Sequence, residues 1–493
     1  MSRKFDRRDF LAGAGLGVAG AALGPYASLL QAVEGGTERP NVLFIGADDL
    51  RCELACYGRG HVHSPNIDRL AGQGLLFRRP YVQQAVCAAS RASFLTGCRP
   101  DTTGVDYPYT DQFRDEFLKS HPSLHRFFHQ HGFYTRTFGK IHHGWVWDMG
   151  GLSEKHFSGK SPGSWRGYVL PENVEKPSEK QPPVEMADVP DTAYRDGQVG
   201  EEVVRTLRRA AGQEKPFFLS VGFWKPHLPF TAPKKYWDLY DRDRIDLSPN
   251  PYIPDGAAPY HPVSYELPSY GWQLCKDGEP VPEEKARLLR HAYFACVSFI
   301  DAQIGKALEE LERLGMRENT VVMLWGDHGW HLGDNGCWGK HTNFERATRA
   351  PMIVSAPGMP TDGRTSDALV EYVDIFPTLC ELTGLAAPGY CEGISMAPLL
   401  KEPDRRWKSA AFSQYPRGGD LEGYAIRTDR YRYIEWRHKK SGKVDEVELY
   451  DHEADPLESD SIEDEPGADE LMKRLSEKLH RGWRAALPPG YSS

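Results

Sequence analysis

Four times along the chain, a strand-like run stops at a cluster of carboxylates, lysines or histidines. Asn41–Ala47 ends in Asp48-Asp49, and Phe133–Phe138 ends in Gly139-Lys140-Ile141-His142-His143. Pro216–Phe223 ends in Trp224-Lys225-Pro226-His227, and Thr320–Trp325 ends in Gly326-Asp327-His328. Runs that are apolar without alternation fit strands buried on both faces, as in sheets covered by helices on either side. Open α/β sheets bind their ligands beyond the carboxyl ends of the strands. The pattern therefore predicts that Asp48, Asp49, Lys140, His143, His227, Asp327 and His328 converge on one region. Of the adjacent His142 and His143, at most one faces that region. Trp224 reads as packing and Lys225 as a solvated lysine.

Between these runs, apolar residues from Leu288 to Leu311 recur at helical spacing inside Glu283–Leu314, and Gly315 is a natural stop. Asn66 reads as part of a turn into a short helix. The stretches near 145–195 and 245–280 are rich in Gly, Pro and Tyr, and loops of that length commonly serve function. Beyond Pro416 the texture changes to the alternation of half-exposed antiparallel strands, closed by an amphipathic helix over Ala468–Ala485. This predicts a smaller C-terminal α+β subdomain with an antiparallel sheet over 419–493.

Residues 1–36 read as an address. Arg7-Arg8 precede a weakly apolar Gly/Ala stretch, like a twin-arginine export signal. That makes the twin-arginine translocase an expected partner and a periplasmic or secreted location the expectation. Pro25 and the glycines argue against a stable membrane span there. The net charge of −9 argues against bulk nucleic-acid binding. Nine cysteines are an odd number, so an exported chain keeps at least one thiol unpaired or modified. Cys380 with Cys391, or Cys52 with Cys56, could pair, but neither spacing is specific.

Asp48, Asp49 and Asp327 offer hard oxygen ligands and His328 a nitrogen. Such a set suits Ca2+ or Mg2+, and the imidazole also admits Mn2+ or Zn2+. An Asp-Asp pair by itself more often caps a helix or sits in a turn; the Asp-His pair in the same topological position favours a metal site. Arg91, Lys140, Lys340, His143 and His227 supply positive charge and proton transfer around it, which fits a sulfate or phosphate ester. Cys87 opens a helix-compatible run to Thr96-Gly97, with Arg91 one turn on along the same face. A helix N-terminus there would favour an anion, although so short a motif also fits an ordinary helix start.

Together these segments resemble the type I sulfatases of the alkaline phosphatase superfamily. Cys87-Ala88-Ala89-Ser90-Arg91, continued by Thr96-Gly97 and Arg99-Pro100, looks like the signature whose cysteine becomes Cα-formylglycine. Asp48-Asp49, Gly139-Lys140 and Asp327-His328-Gly329 match the family's other motifs in order. Ala89 stands where the family commonly has proline. The resemblance implies an α/β fold with a large mixed central sheet flanked by helices, a catalytic domain over 37–418, and a formylglycine-generating enzyme as partner. It implies that Cys87, as formylglycine hydrate, is nucleophile and metal ligand, and that Asp48, Asp49, Asp327 and His328 complete a Ca2+ site, with Mg2+ or Mn2+ also compatible. Arg91 and Lys140 would hold the hydrated aldehyde, and His143 would take the proton that releases sulfate. His227 and Lys340 would bind the sulfate and assist the leaving alcohol. The expected substrate is a sulfated carbohydrate such as a uronate 2-O-sulfate. The rival readings are a phosphonate or phosphodiester hydrolase on the same site, and a non-catalytic binder of sulfated glycans with Cys87 left as a thiol.

Overall fold

The computed structural model describes residues 39–106, 113–144, 148–162, 164–261, 266–270 and 280–491. The expected export segment and Cys275 lie outside the described residues. Seven strands form the main sheet: β1 (Asn41–Asp48), β2 (Leu75–Tyr81), β3 (Tyr134–Gly139), β4 (Phe217–Pro226), β5 (Thr320–Gly326), β6 (Met352–Ser355) and β7 (Arg364–Glu371). Their order is β7-β2-β6-β5-β1-β4-β3. Only β6 runs antiparallel to both neighbours, so the sheet is mixed.

The apolar runs form central strands because both of their faces are covered. Leu43, Ile45 and Ala47 of β1 belong to one apolar cluster, and Val42 and Phe44 to another, so alternate residues feed separate cores on opposite sides of the sheet. Helices α1 (Pro65–Gly72), α3 (Arg195–Ala210) and α4 (Glu283–Arg313) cover the first face. α4 follows its expected span, with Leu289, Tyr293, Cys296, Ile300, Ile304 and Leu311 turned to that core. The second face takes Phe94 and Leu95 of α2 (Cys87–Thr96), together with Trp325 and Phe376. A fully buried Leu, Ile or Phe contributes about 1.5–3 kcal/mol, so two such cores fix strand register firmly.

Asn66 has more than a turn to make. Its side-chain nitrogen donates to Asp301 of α4 at 2.8 Å, and the backbone N–H of Ile67 donates to the same carboxylate at 2.8 Å, pinning α1 onto α4. All eight described cysteines are thiols, so neither Cys380–Cys391 nor Cys52–Cys56 forms a bridge.

The second sheet is antiparallel, in the order β8 (Ala411–Pro416), β9 (Leu421–Arg427), β10 (Tyr431–His438) and β11 (Val444–Asp451). Helix α5 (Ala468–Arg481) packs Leu475 and Leu479 on one face, and Phe344 of the main body meets Trp436 and Tyr450 on the other. This sheet starts at Ala411, ahead of position 419, and the chain from Pro40 onward is one compact unit. Among the described residues, no helix is long and apolar enough to cross a membrane.

Register decides where the chemistry lies. Ala47 of β1 is level with Gly326 of β5, and Asp48 is level with Pro226 of β4 after a register shift. Gly139 of β3 is level with Gly222 of β4. Four neighbouring strands thus release the chain at nearly one height, with their polar termini side by side.

Candidate active site

α2 begins at Cys87, with Val86 extended before it. Ala89 sits in that first turn, where the backbone N–H has no intrahelical acceptor. A proline at that position would therefore cost no intrahelical hydrogen bond, and neither does the alanine. Cys87 Sγ lies 3.3 Å from Asp48 Oδ1 and 3.3 Å from His328 Nε2, and 3.5 Å from both Lys140 Nζ and Lys340 Nζ. The cysteine is the hub of the cluster.

Arg91 rises one turn above it, with no exposed surface. Its Nε donates to Asp327 Oδ2 at 2.9 Å, its Nη2 to Asp48 Oδ1 at 3.1 Å, and its Nη1 to the carbonyls of Lys140 and Ile141. One guanidinium thereby joins three strand ends. Lys140 Nζ donates in turn to Asp48 Oδ2. Its position depends on a close approach of backbones: a Cβ on Gly222 would lie 2.0 Å from the Lys140 carbonyl oxygen. Gly139, at φ +61°, makes the matching turn.

On the far side, Lys340 Nζ donates to Asp49 Oδ1 at 2.8 Å and pairs with Glu266 at 3.3 Å. His328 Nδ1 faces the Gly329 carbonyl at 2.9 Å. A carbonyl can only accept, so Nδ1 carries the proton and Nε2 presents its lone pair inward, 3.5 Å from Asp49 Oδ1 and 3.5 Å from Asp327 Oδ2. His227 is set in the same way, with Nδ1 on the Leu228 carbonyl at 2.6 Å and Nε2 4.0 Å from Asp49 Oδ2.

Charge explains the titration behaviour. Burial acts to raise Asp48, but Lys140, His227 and Arg91 outweigh it and hold the carboxyl well below its ordinary range. Burial raises Asp327 to about 6, and it raises Asp49 well above its ordinary value, with Asp48, Glu266 and Asp327 adding repulsion. Burial also pushes the Cys87 thiol well up, with Asp48 adding to it, so an unmodified thiol there is a poor nucleophile at neutral pH. Burial keeps His227 and His328 neutral and lowers His143 to about 3, with Lys140 reinforcing that last shift.

Donor atoms of Asp48, Cys87, Asp327 and His328 all lie within 4.8 Å of one another, as do those of Asp48, Asp49, Cys87 and His227. Asp49 Oδ2 is buried without a hydrogen-bond partner. An orphaned carboxylate oxygen among crowded carboxylates, beside an imidazole lone pair, fits a divalent cation.

The structure brings Asp48, Asp49, Cys87, Arg91, Lys140, His227, Asp327, His328 and Lys340 into one contiguous cluster. His143 feels the charges of Lys140, Asp48, Arg91 and Lys340, whereas the His142 ring packs on His125 at 4.9 Å. Of these four site charges only that of Arg91 acts on His142, so His143 is the member of the pair that feels the site more strongly. Lys225 departs from its expected solvated role: it is buried, and its Nζ donates to the carbonyls of His227 and Pro229, fixing the turn that aims His227. Trp224 is more than packing, since Lys140 Nζ lies 5.6 Å from its ring centroid. Glu266 carried no signal in the sequence. It lies in one of the irregular stretches and gains meaning only through Lys340.

The chain is similar to known proteins over most of its length. The Sulfatase family profile matches residues 40–385, and that of the C-terminal region of N-sulphoglucosamine sulphohydrolase matches residues 333–484. Iduronate 2-sulfatase of Mus musculus is 34% identical, over 89% of this chain and 94% of its own length. Its Homo sapiens counterpart is 33% identical over the same shares. Among solved structures, the phosphonate monoester hydrolase of Silicibacter pomeroyi superposes with a TM-score of 0.72 at 22% identity, covering 90% of this chain and 95% of that one.

Proposed function

The chain belongs to the sulfatase family, and from that premise we propose that it removes sulfate from a sulfated carbohydrate, with a uronate 2-O-sulfate as substrate. The iduronate 2-sulfatases that it resembles over nine-tenths of its length support the uronate. The observation that carries the chemistry is the charge balance around Cys87. With every group ionised, as a bound cation would keep the carboxylates, Arg91, Lys140 and Lys340 set three positive charges against the four negative ones of Asp48, Asp49, Asp327 and Glu266. A divalent cation turns this into one net positive charge, the complement of a sulfate monoester. A phosphate monoester dianion would be left over-charged.

Asp48, Asp49, Asp327 and His328 would hold Ca2+, which supplies stabilisation for negative charge developing on the nucleophile and the sulfuryl oxygens. Cys87 converted to formylglycine would supply, as its hydrate, one hydroxyl to attack sulfur and a second whose deprotonation expels sulfate and restores the aldehyde. Arg91 holds Asp48 and Asp327 in place for that group. Lys140 Nζ, at Cys87 Sγ, stands where it can hold the hydrate's oxygens. Lys340 Nζ, kept protonated by Asp49, can bind the sulfate and give a proton to the departing ester oxygen, and His227 Nε2 lies beside it. His143, kept neutral by burial, is suited to take the proton of the second hydroxyl.

The test has two arms. Mass spectrometry of the peptide containing residue 87, from protein made with its maturase, is expected to show about 18 Da less than cysteine, the change from thiol to aldehyde that the nucleophile requires. An aryl sulfate is expected to give a larger kcat/KM than the matching aryl phosphodiester. A peptide carrying only thiol, or a preference for the diester, overturns the reading.

A further inference from the structure

Beside the reaction centre a narrow groove, with about 20 Å³ of water-accessible space, is lined by Trp165, Arg166, Arg195, Trp224, Lys225 and His227. Its three flanking cations differ. Lys225 is spent on the His227 and Pro229 carbonyls. Arg166 is spent on Gln181 and on the carbonyls of Ser178 and Ser269. Arg195 is not spent. Its Nη2 donates to the Ser164 carbonyl at 3.2 Å, its Nε is buried with no hydrogen-bond partner, and among the described residues no carboxylate pairs with it. Asp196, its neighbour in α3, uses one oxygen on the Trp224 N–H and the other on the Lys225 N–H, both at 2.9 Å. A buried guanidinium nitrogen without an acceptor costs free energy unless a ligand supplies one.

The Trp224 ring links this charge to the reaction centre. Arg195 Cζ lies 5.2 Å from the ring centroid and Lys140 Nζ 5.6 Å from it. Both cations therefore lie against the same indole, one of them in the reaction centre and the other at the groove. Trp224 Nε1 is a second buried donor without a partner. Trp165, 56% exposed and edge-on to His227 at 6.2 Å, offers an aromatic face to the same groove.

We infer that Arg195, with Trp224 and Trp165, forms a subsite for the carboxylate of the sulfated sugar, so that the enzyme reads a second negative charge on the ring that carries the scissile sulfate. This rests on the sulfatase reading above and adds the group that selects a uronate over a neutral sulfated sugar. Recognition so far from the S–O bond acts on ground state and transition state alike, and should therefore appear mainly in KM.

The experiment compares wild type, Arg195→Gln and Arg195→Lys on a uronate 2-O-sulfate, on its carboxyl-reduced analogue and on a neutral aryl sulfate. Arg195→Gln should lower kcat/KM on the uronate about 10- to 100-fold, mostly through KM, and change the other two substrates less than about threefold. Arg195→Lys should recover part of the loss, since it keeps the charge and loses the fork. An equal loss on all three substrates, or none on the uronate, overturns the subsite. A loss on the carboxyl-reduced analogue as large as that on the uronate overturns the choice of carboxylate. Binding of the uronate 2-O-sulfate to Cys87→Ala, with and without Arg195→Gln, needs no turnover. Weaker binding in the double variant supports the subsite even where the sulfatase reading fails, and unchanged binding overturns it.

Discussion

Arg91 donates from Nε to Oδ2 of Asp327 across 2.9 Å, and neither side chain has any exposed surface. The same guanidinium reaches Asp48, so one arginine compensates two carboxylates that burial would otherwise penalise. Arg91→Ala leaves both without that partner. The expected cost is about 3–5 kcal/mol in folding stability, the range for breaking a buried pair from one side. Arg91→Lys should recover only part of it, because a lysine cannot span three strand ends. Denaturant titration of the three proteins checks this; a loss under about 1 kcal/mol for alanine would mean that the carboxylates find other partners.

Lys340 is the cation that faces both Asp49 and Glu266. Lys340→Ala should lower kcat/KM on an aryl sulfate about 10²- to 10³-fold, the usual cost of one preorganised donor at a developing oxyanion. An activated leaving group needs no proton, so the deficit should shrink as the leaving phenol becomes more acidic. A deficit independent of the phenol would remove the proton-donor role from Lys340.

Removal of divalent ions should lower both activity and melting temperature. Added Ca2+ should restore both, with a stability gain of about 2.7 kcal/mol at a hundredfold excess over Kd. Asp49→Asn keeps the shape and removes a charge from the oxygen that has no protein partner. That variant should lose most of the Ca2+-dependent rise in melting temperature. A rise equal to wild type would place the cation elsewhere.

Gly222 takes no part in chemistry, yet the Lys140 carbonyl lies where its Cβ would go. Gly222→Ala must therefore push apart β3 and β4 where they deliver Lys140 to Asp48. Both melting temperature and kcat should fall, at a cost of about 1–3 kcal/mol in stability, as for other overpacked sites. Activity that survives a clear drop in melting temperature would show that Lys140 tolerates displacement.

The strand ends were legible because doubly buried strands must be apolar without interruption, so Asp48-Asp49 and Asp327-His328 stand out where the run stops. Cys87 and Arg91 were legible through their one-turn spacing and the family signature. Lys225 was misread because lysine's usual fate is solvent, and only the fold brings two carbonyls within reach of its ammonium. Glu266 and Arg195 lie outside the repeated pattern, in or beside long irregular stretches. Their partners are about 70 and 30 residues away, and no local periodicity encodes such contacts. β8 was missed as a strand because its pairing with β9, and not its own short run, makes it one.

Glu53 provides a pH test away from the reaction centre. Burial acts to raise its carboxyl, but Arg51 at 3.0 Å, His61 at 3.1 Å and Arg290 at 3.5 Å outweigh that and lower it from 4.5 to about 2. A carboxyl whose folded pKa is depressed binds its proton more readily in the unfolded chain. Its contribution is therefore fully present above the unfolded value and is lost as pH falls from 4.5 towards 2. The shift corresponds to about 3 kcal/mol at neutral pH. Glu53→Gln cannot ionise, so its stability deficit against wild type should be about that size at pH 7 and shrink steadily below pH 4.5. Carboxyls remote from Glu53 titrate alike in both proteins and cancel in the difference. Urea titrations at matched pH values measure that difference directly. A deficit that stayed constant on acidification would show that Glu53 acts through packing and hydrogen bonding, with no net gain from its charge.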